Sequence, residues 1–249
     1  ITTSWTGYIS SDNSMASINS GSGVNSKARI ETKKKLKCGL GHEAYAVFST
    51  SFSGSSANSS TQWAGVFDSQ DGAAIGYNGL NFSVLYRRAG ADTIVSQSNF
   101  NKDKLDGTGP SGFILNKSNL NVYKISYGWV GASSINYYVL SDTGKWINFH
   151  TISRANSFQV PLFVSPVLPV AFEVNKANSS SANLVIKSAT INAGVIGKPT
   201  TAASRFFSKS ASLAIPKIIS TEAHIFTLVN KSTYKSAINK IDVRINSFG

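Results

Sequence analysis

The chain has 249 residues, 41% of them hydrophobic and only 14% charged, with 24 Lys and Arg against 12 Asp and Glu for a formal net charge of +12. This balance excludes a disordered chain, which would be poorer in apolar residues, and no apolar run approaches the ~18 residues that a membrane-crossing helix needs. A single cysteine, Cys38, excludes an intrachain disulfide.

Residues 1–26 are rich in Ser, Asn and Gly, with Trp5, Tyr8 and Met15 as isolated apolar points. They read as an extended N-terminal arm or a loosely held first strand, with a tail ordered on its own domain as the other reading. The chain opens at Ile1 with no basic-then-apolar leader, and a processed or partial chain is expected. Two strands follow, Ala28–Leu36 and Glu43–Phe52, both alternating in polarity. Between them, Cys38-Gly39-Leu40-Gly41-His42 reads as a turn. It is not a phosphate loop, because no Gly-Lys-Ser/Thr follows and the next element is a strand. The run Lys33-Lys34-Lys35-Leu36-Lys37 fits a solvated strand edge that repels unwanted pairing. Its second reading is an anion-binding patch for phosphate or sulfate.

The stretch from Trp63 to Ile152 organises the rest. Phe82, Val84 and Tyr86 oppose Asn81, Ser83 and Leu85; Tyr123, Ile125 and Tyr127 oppose Val122, Lys124 and Ser126. Ile135, Tyr137 and Val139 oppose Asn136, Tyr138 and Leu140; Trp146, Asn148 and His150 oppose Ile147, Phe149 and Thr151. Such period-two runs of aromatic and β-branched residues are half-buried strands. Tyr77-Asn78-Gly79-Leu80 places Asn-Gly between two of them, which predicts a type I′ hairpin turn. Asp142-Thr143-Gly144-Lys145 and Trp129–Ser133 are further tight connections, so the stretch reads as an antiparallel meander. The connection Phe100–Asn119 is long, and connections of that length often carry function.

In residues 158–175, Pro161, Pro166 and Pro169 interrupt an apolar run. This predicts an edge or covering segment with a true strand at Val170–Val174. Asn183–Asn192 is another strand, and Ala223–Val229 and Ala237–Asn246 are the last two. The expected organisation is an arm (1–26), a main sandwich (27–195), a linker or irregular segment (196–221), and C-terminal strands (222–249) that complete the sandwich or pair with a neighbour. Roughly a dozen strands are too many for one open sheet. The fold expected is all-β: an antiparallel two-sheet β-sandwich of jelly-roll or concanavalin-like kind, with few or no helices.

No catalytic constellation accompanies this architecture. Glycan hydrolysis needs two facing carboxylates, and no spacing selects a pair from Asp68, Asp71, Asp103, Asp106, Asp142, Glu43 and Glu173. His42, His150 and His224 have no metal-ligand spacing with one another or with Cys38. No metal or cofactor is expected, and the chain reads as non-enzymatic. Exposed aromatics matter more, because sugar rings stack on them. Trp63, Trp129, Trp146 and Tyr77, the last beside Asn78, are candidate glycan- or partner-binding residues, with Tyr127 and Tyr138 behind them. Lys33, Lys34, Lys35 and Lys37 are the candidate anion site. The other basic residues are spread along the chain, which makes nucleic acid the weakest of the acidic partners that the charge favours.

One ordered set of motifs carries a resemblance: Lys34–His42 before Phe48–Phe52, Trp63–Asp68, Asp71–Gly79, Leu105–Gly112, Tyr123–Gly131, His150–Ile152 and Phe226–Tyr234. Over roughly residues 27–245 the chain resembles the β-sandwich modules of structural and fibre-like surface proteins of large double-stranded DNA viruses and some phages. Cys38 departs from the aromatic expected at its position. The resemblance implies a non-enzymatic virion component, capsid-associated or from a fibre or tail. It would form homo-oligomers and contact other virion proteins, with a host-surface glycan as a further partner that the resemblance allows. The alternative is a lectin-like carbohydrate-binding module; a glycan-active enzyme ranks below both.

Overall fold

The computed structural model describes residues 3–4, 6–39, 41–54, 59–129, 133–176, 183–197, 233–234 and 237–238. The chain divides into two units, Ile1–Pro199 and Thr200–Gly249. In the first, the strands are β1 (Thr3–Ser4), β2 (Tyr8–Asp12), β3 (Met15–Asn19), β4 (Lys27–Glu31), β5 (Leu36–Lys37), β6 (Glu43–Phe52), β7 (Thr61–Phe67), β8 (Gly72–Asn78) and β9 (Asn81–Arg88). They continue as β10 (Ala91–Ser96), β11 (Asn121–Gly128), β12 (Ser134–Leu140), β13 (Trp146–Ser153), β14 (Val167–Leu168), β15 (Val170–Asn175) and β16 (Val185–Ile196). The one helical turn among the described residues is a 3-10 turn, Gln97–Asn99. In the second unit, β17 (Thr233–Tyr234) pairs with β18 (Ala237–Ile238).

Two seven-stranded antiparallel sheets result. Sheet I runs β1-β4-β15-β7-β8-β9-β10 and sheet II runs β13-β12-β11-β6-β16-β3-β2, with β5 and β14 as a separate pair. The protein is therefore all-β, a two-sheet sandwich. Its core is the alternate inward residues of both sheets, as face-to-face packing requires. Phe48 of β6 meets Phe172 of β15 edge-on at 5.7 Å, and Phe52 meets Phe82 of β9 at 6.0 Å, so aromatic pairs join the layers. The Tyr137 hydroxyl crosses from sheet II to donate to the Leu85 carbonyl at 2.8 Å. A second apolar cluster, Trp63, Phe67, Ala74, Leu85 and Ala171, lies on the other face of sheet I. Leu85 faces away from Val84 and Tyr86 yet is also buried.

Several expectations need correction. The 1–26 arm is not extended: β1 joins sheet I, while β2 and β3 form an edge hairpin of sheet II, because Ile18 is an inward core residue that pairs with Ile186. The strand expected over Ala28–Leu36 stops at Glu31. There the Thr32 hydroxyl turns back to donate to the Lys34 carbonyl at 2.8 Å. At the hairpin tip, Asn78 pairs with Asn81, so the central residues are Gly79 and Leu80. Only Gly79 has positive φ, at 57°, which type I′ excludes and a turn with glycine first allows. The alternation of β13 breaks at a register shift between Tyr137 and Tyr138, where Tyr137 pairs with His150 and Tyr138 with Asn148. Phe149 is the extra residue, and the bulge buries Phe149 and His150 together.

The meander is also split between the layers: β7 to β10 belong to sheet I, and β11 to β13 to sheet II. The proline segment covers the sandwich edge with Leu162 and Phe163 fully buried, and β15, after it, lies inside sheet I between β4 and β7. β16 runs on to Ile196, past the boundary expected at 195. Of the linker expected at 196–221, only Ile196 and Gly197 are described, and the strand Ala223–Val229 lies outside the described residues.

Candidate functional site

The outward face of sheet II gathers an aromatic and polar row. Register pairs Asn148 with Tyr138, Tyr138 with Lys124, Lys124 with Val47, and Val47 with Asn192, so five strands contribute one line of side chains. One step along, Trp146 pairs with Leu140 at the start of β13 and is 40% exposed. The Lys124 ammonium lies 4.3 Å from the Tyr138 ring centre and 5.0 Å from that of Trp146. One cation thus fixes two rings by attraction to their π faces. Beside them, the Thr151 hydroxyl donates to Asn136 Oδ1 at 2.9 Å, and Asn148 Nδ2 donates to Thr151 Oγ1 at 3.3 Å. This is a flat apolar platform with oriented amides, a hydroxyl and an ammonium at its edge. It can take the C–H face of a sugar on its rings and the sugar hydroxyls on its polar groups.

The other sequence candidates fall elsewhere. Trp63 is only 3% exposed, in the cluster on the outer face of sheet I, so it offers no stacking surface. Trp129 is partly buried against the core, and Tyr127 is fully buried, its hydroxyl donating to the Pro166 carbonyl at 3.3 Å. Tyr77 is half-buried, held edge-on by Phe52 at 6.1 Å and Phe82 at 5.6 Å. Burial pushes its hydroxyl pKa up. With Asn81, Gln97 and Lys117 it lines a small polar hollow of about 210 Å³. Desolvation pulls the Lys117 pKa down, with the Asp106 charge opposing. Asn78 serves as a strand residue, between Thr61 and Asn81. Lys33, Lys34 and Lys35 are exposed along the link between β4 and β5, and Lys37 is exposed within β5.

Two of the candidate carboxylates, Asp103 and Asp106, are engaged in structure. Asp103 is 4% exposed and accepts from the Leu105 and Ser111 backbone N–H groups, both at 2.8 Å. Asp106 accepts from the Thr108 N–H at 2.9 Å and from its hydroxyl at 2.6 Å, bonds that lower its pKa. The long connection after Phe100 is thus pinned by Asx turns and plugs the core with Leu105 and Leu115. Among the described residues no group of three His, Cys, Asp or Glu could hold a metal, and no helix is long and apolar enough to cross a membrane.

His150 is a structural histidine with a measurable signature. Its Nδ1 accepts the Asn101 N–H at 3.2 Å, and its ring packs on Phe100 and Tyr137. Burial pushes its pKa down from 6.5 to about 4. From pH 6.5 down toward 4 the unfolded chain takes up a proton that the folded chain does not. The stabilisation is therefore complete above pH 6.5 and is lost as pH falls below it. Urea midpoints should fall between pH 6.5 and 5, and His150→Asn, a neutral acceptor at every pH, should flatten that slope. An unchanged slope in the variant contradicts the assignment.

No protein-family model matches the sequence, and no curated protein matches it. Among solved structures, it is similar to the cellulose-induced protein Cip1, at 12% identity over 77% of this chain and 87% of that one, with a TM-score of 0.44. It is similar to the carbohydrate recognition domain of Emp47p, at 12% identity over 78% and 87% of the two chains, with a TM-score of 0.44. A legume lectin-like domain from Entamoeba histolytica matches at 14% identity over 77% and 88%, with a TM-score of 0.41.

Sequence reasoning named Trp146 and Tyr138 but missed Lys124. Alternation already put Lys124 on the face opposite Tyr123. The pairing of β11 with β12 that sets it between the two rings was not readable from spacing.

Proposed function

We propose that the protein is a non-enzymatic carbohydrate-binding module whose ligand lies across the outward face of sheet II. The observation that carries this is the pair of rings, Trp146 and Tyr138, held by one Lys124 ammonium on the outward strand surface. A core does not need a 40% exposed tryptophan, whereas a sugar-binding platform does. The ring faces supply stacking, and Asn136, Asn148 and Thr151 supply hydrogen bonds whose directions their mutual contacts already constrain. Lys124 has three donors and favours glycans with oxygen-rich or anionic substituents.

A glycan array probed with the purified chain tests this. The wild type should retain a coherent set of related glycans. Trp146→Ala should weaken their binding about tenfold or more, the loss of a stacking contact plus its cation partner. Its denaturation midpoint should barely move, since the side chain lies at a strand end on the surface. Tyr77→Ala should leave the array pattern unchanged. Loss of binding in Tyr77→Ala with Trp146→Ala unaffected would move the site to the hollow at the hairpin tip. The virion setting implied by the sequence resemblance is a separate proposal, in which this face would meet a host-surface glycan. Detection of the chain in purified particles tests it.

A further inference from the structure

We propose a second binding site, in the cleft between the sheets, for the chain of a medium-length fatty acid whose carboxylate pairs with Lys33. The cleft encloses about 460 Å³, within the range of small-molecule pockets. Ala16, Ile18, Ile30, Val170, Phe172 and Ile191 line it, and its exposed wall is almost wholly apolar.

The strand pairing explains why it is open. β3 pairs with β16 only from Val185 to Ser188, the last pair joining Ala16, one residue after β3 starts at Met15. Just there β16 shifts register between Ser188 and Ile191, leaving Ile191 45% exposed. On the facing sheet, β4 ends at Glu31 and the chain bends away. The β3–β16 and β4–β15 pairings therefore both run out at this corner, and Ala16, Ile30 and Ile191 are left only partly covered there.

Charge selects the occupant. Two ionic side chains sit at the rim, Glu31 and Lys33. Glu31 is neutralised, its Oε2 accepting from Arg29 Nε at 3.0 Å and from an Arg29 terminal nitrogen at 2.8 Å. Lys33 is exposed, makes no salt bridge among the described residues, and is followed by the exposed Lys34 and Lys35. An apolar well with an available ammonium at its mouth matches a single alkyl chain ending in an anion. A neutral chain gains the burial without the ion pair, and a bulky ring system gains neither the depth nor the charge.

Calorimetric titration with monomeric sodium dodecanoate tests the site. Saturable one-to-one binding is expected, with dodecanol weaker. Lys33→Glu should weaken dodecanoate about tenfold and leave dodecanol unchanged. Ala189→Trp, which fills the mouth from an exposed position, should abolish both without lowering the denaturation midpoint. The proposal is overturned if dodecanoate does not saturate, if both variants bind it like the wild type, or if only anionic vesicles bind. Because Trp146 is not part of the cleft, failure here leaves the glycan reading untouched, and the converse holds.

Discussion

Gly76→Ala should cost roughly 4 kcal/mol or more, or yield no folded protein, which is the exceptional end of single-substitution effects. Gly76 lies in the middle of β8, paired with Trp63 on β7 and Ser83 on β9. A Cβ there would stand 1.8 Å from the Gln62 carbonyl oxygen and 2.8 Å from its carbon. Those are backbone atoms of an adjacent, fully hydrogen-bonded strand, so no rotamer change can relieve the overlap. The strands must separate or the register must slip, and a slip would turn Ala64, Val66, Ala73 and Ile75 away from the core. Chemical denaturation of soluble material measures the effect. A wild-type midpoint for the variant would contradict the close approach of β7 and β8.

The second large effect is at Asp71, where substitution by Ala should lower stability by about 3 kcal/mol. The residue is 1% exposed and precedes β8. Its Oδ1 accepts the Val164 N–H at 3.0 Å and the Ala89 N–H at 3.4 Å, and its Oδ2 accepts the Ser165 N–H at 3.0 Å. One carboxylate therefore fastens the proline-rich covering segment to the β9–β10 turn. Removing it leaves three backbone donors without their acceptor. The segment carries Phe163, whose ring packs on Tyr127 at 5.1 Å and on Tyr86 at 6.0 Å, so its release would open the adjoining core. Asp71→Asn, which keeps the acceptor oxygen on one arm, should lose less than Asp71→Ala. Equal losses for the two would mean that the side chain's volume, not its hydrogen bonds, holds the segment.

Much of this architecture is legible as period-two alternation. Glu43–Phe52 is the strand the pattern predicts, and Tyr123, Ile125, Ile135 and Val139 all face inward as expected. Alternation fails where a local rule is overridden by neighbours. His150 should share a face with Trp146, but the bulge at Phe149 turns it inward, and nothing in the order Asn148-Phe149-His150 signals an extra residue. Leu85 and Trp63 lie on the outer face of sheet I yet are buried, in an apolar cluster that alternation alone would have read as a solvent face. Polarity also misleads at the N-terminus. Ser- and Asn-rich residues 8–19 look like an arm, but an edge hairpin needs only a few inward apolar residues, and Ile18 supplies the deepest of them.

The candidate site was half legible for a similar reason. Composition names aromatics without saying which are exposed, and Trp63 and Trp146 look alike in sequence. What separates them is the sheet each joins: Trp63 pairs with Glu173, far along the chain, whereas Trp146 pairs with Leu140 across a local hairpin.

The most direct test of carbohydrate binding at sheet II reads the indole N–H signals of the four tryptophans by NMR. The protein is titrated with the best oligosaccharide from the array. The Trp146 signal should shift progressively and saturate, while that of the buried Trp63 stays still. A static Trp146 signal under a ligand that demonstrably binds, or the absence of any binding glycan, would contradict the assignment of this face as the sugar platform.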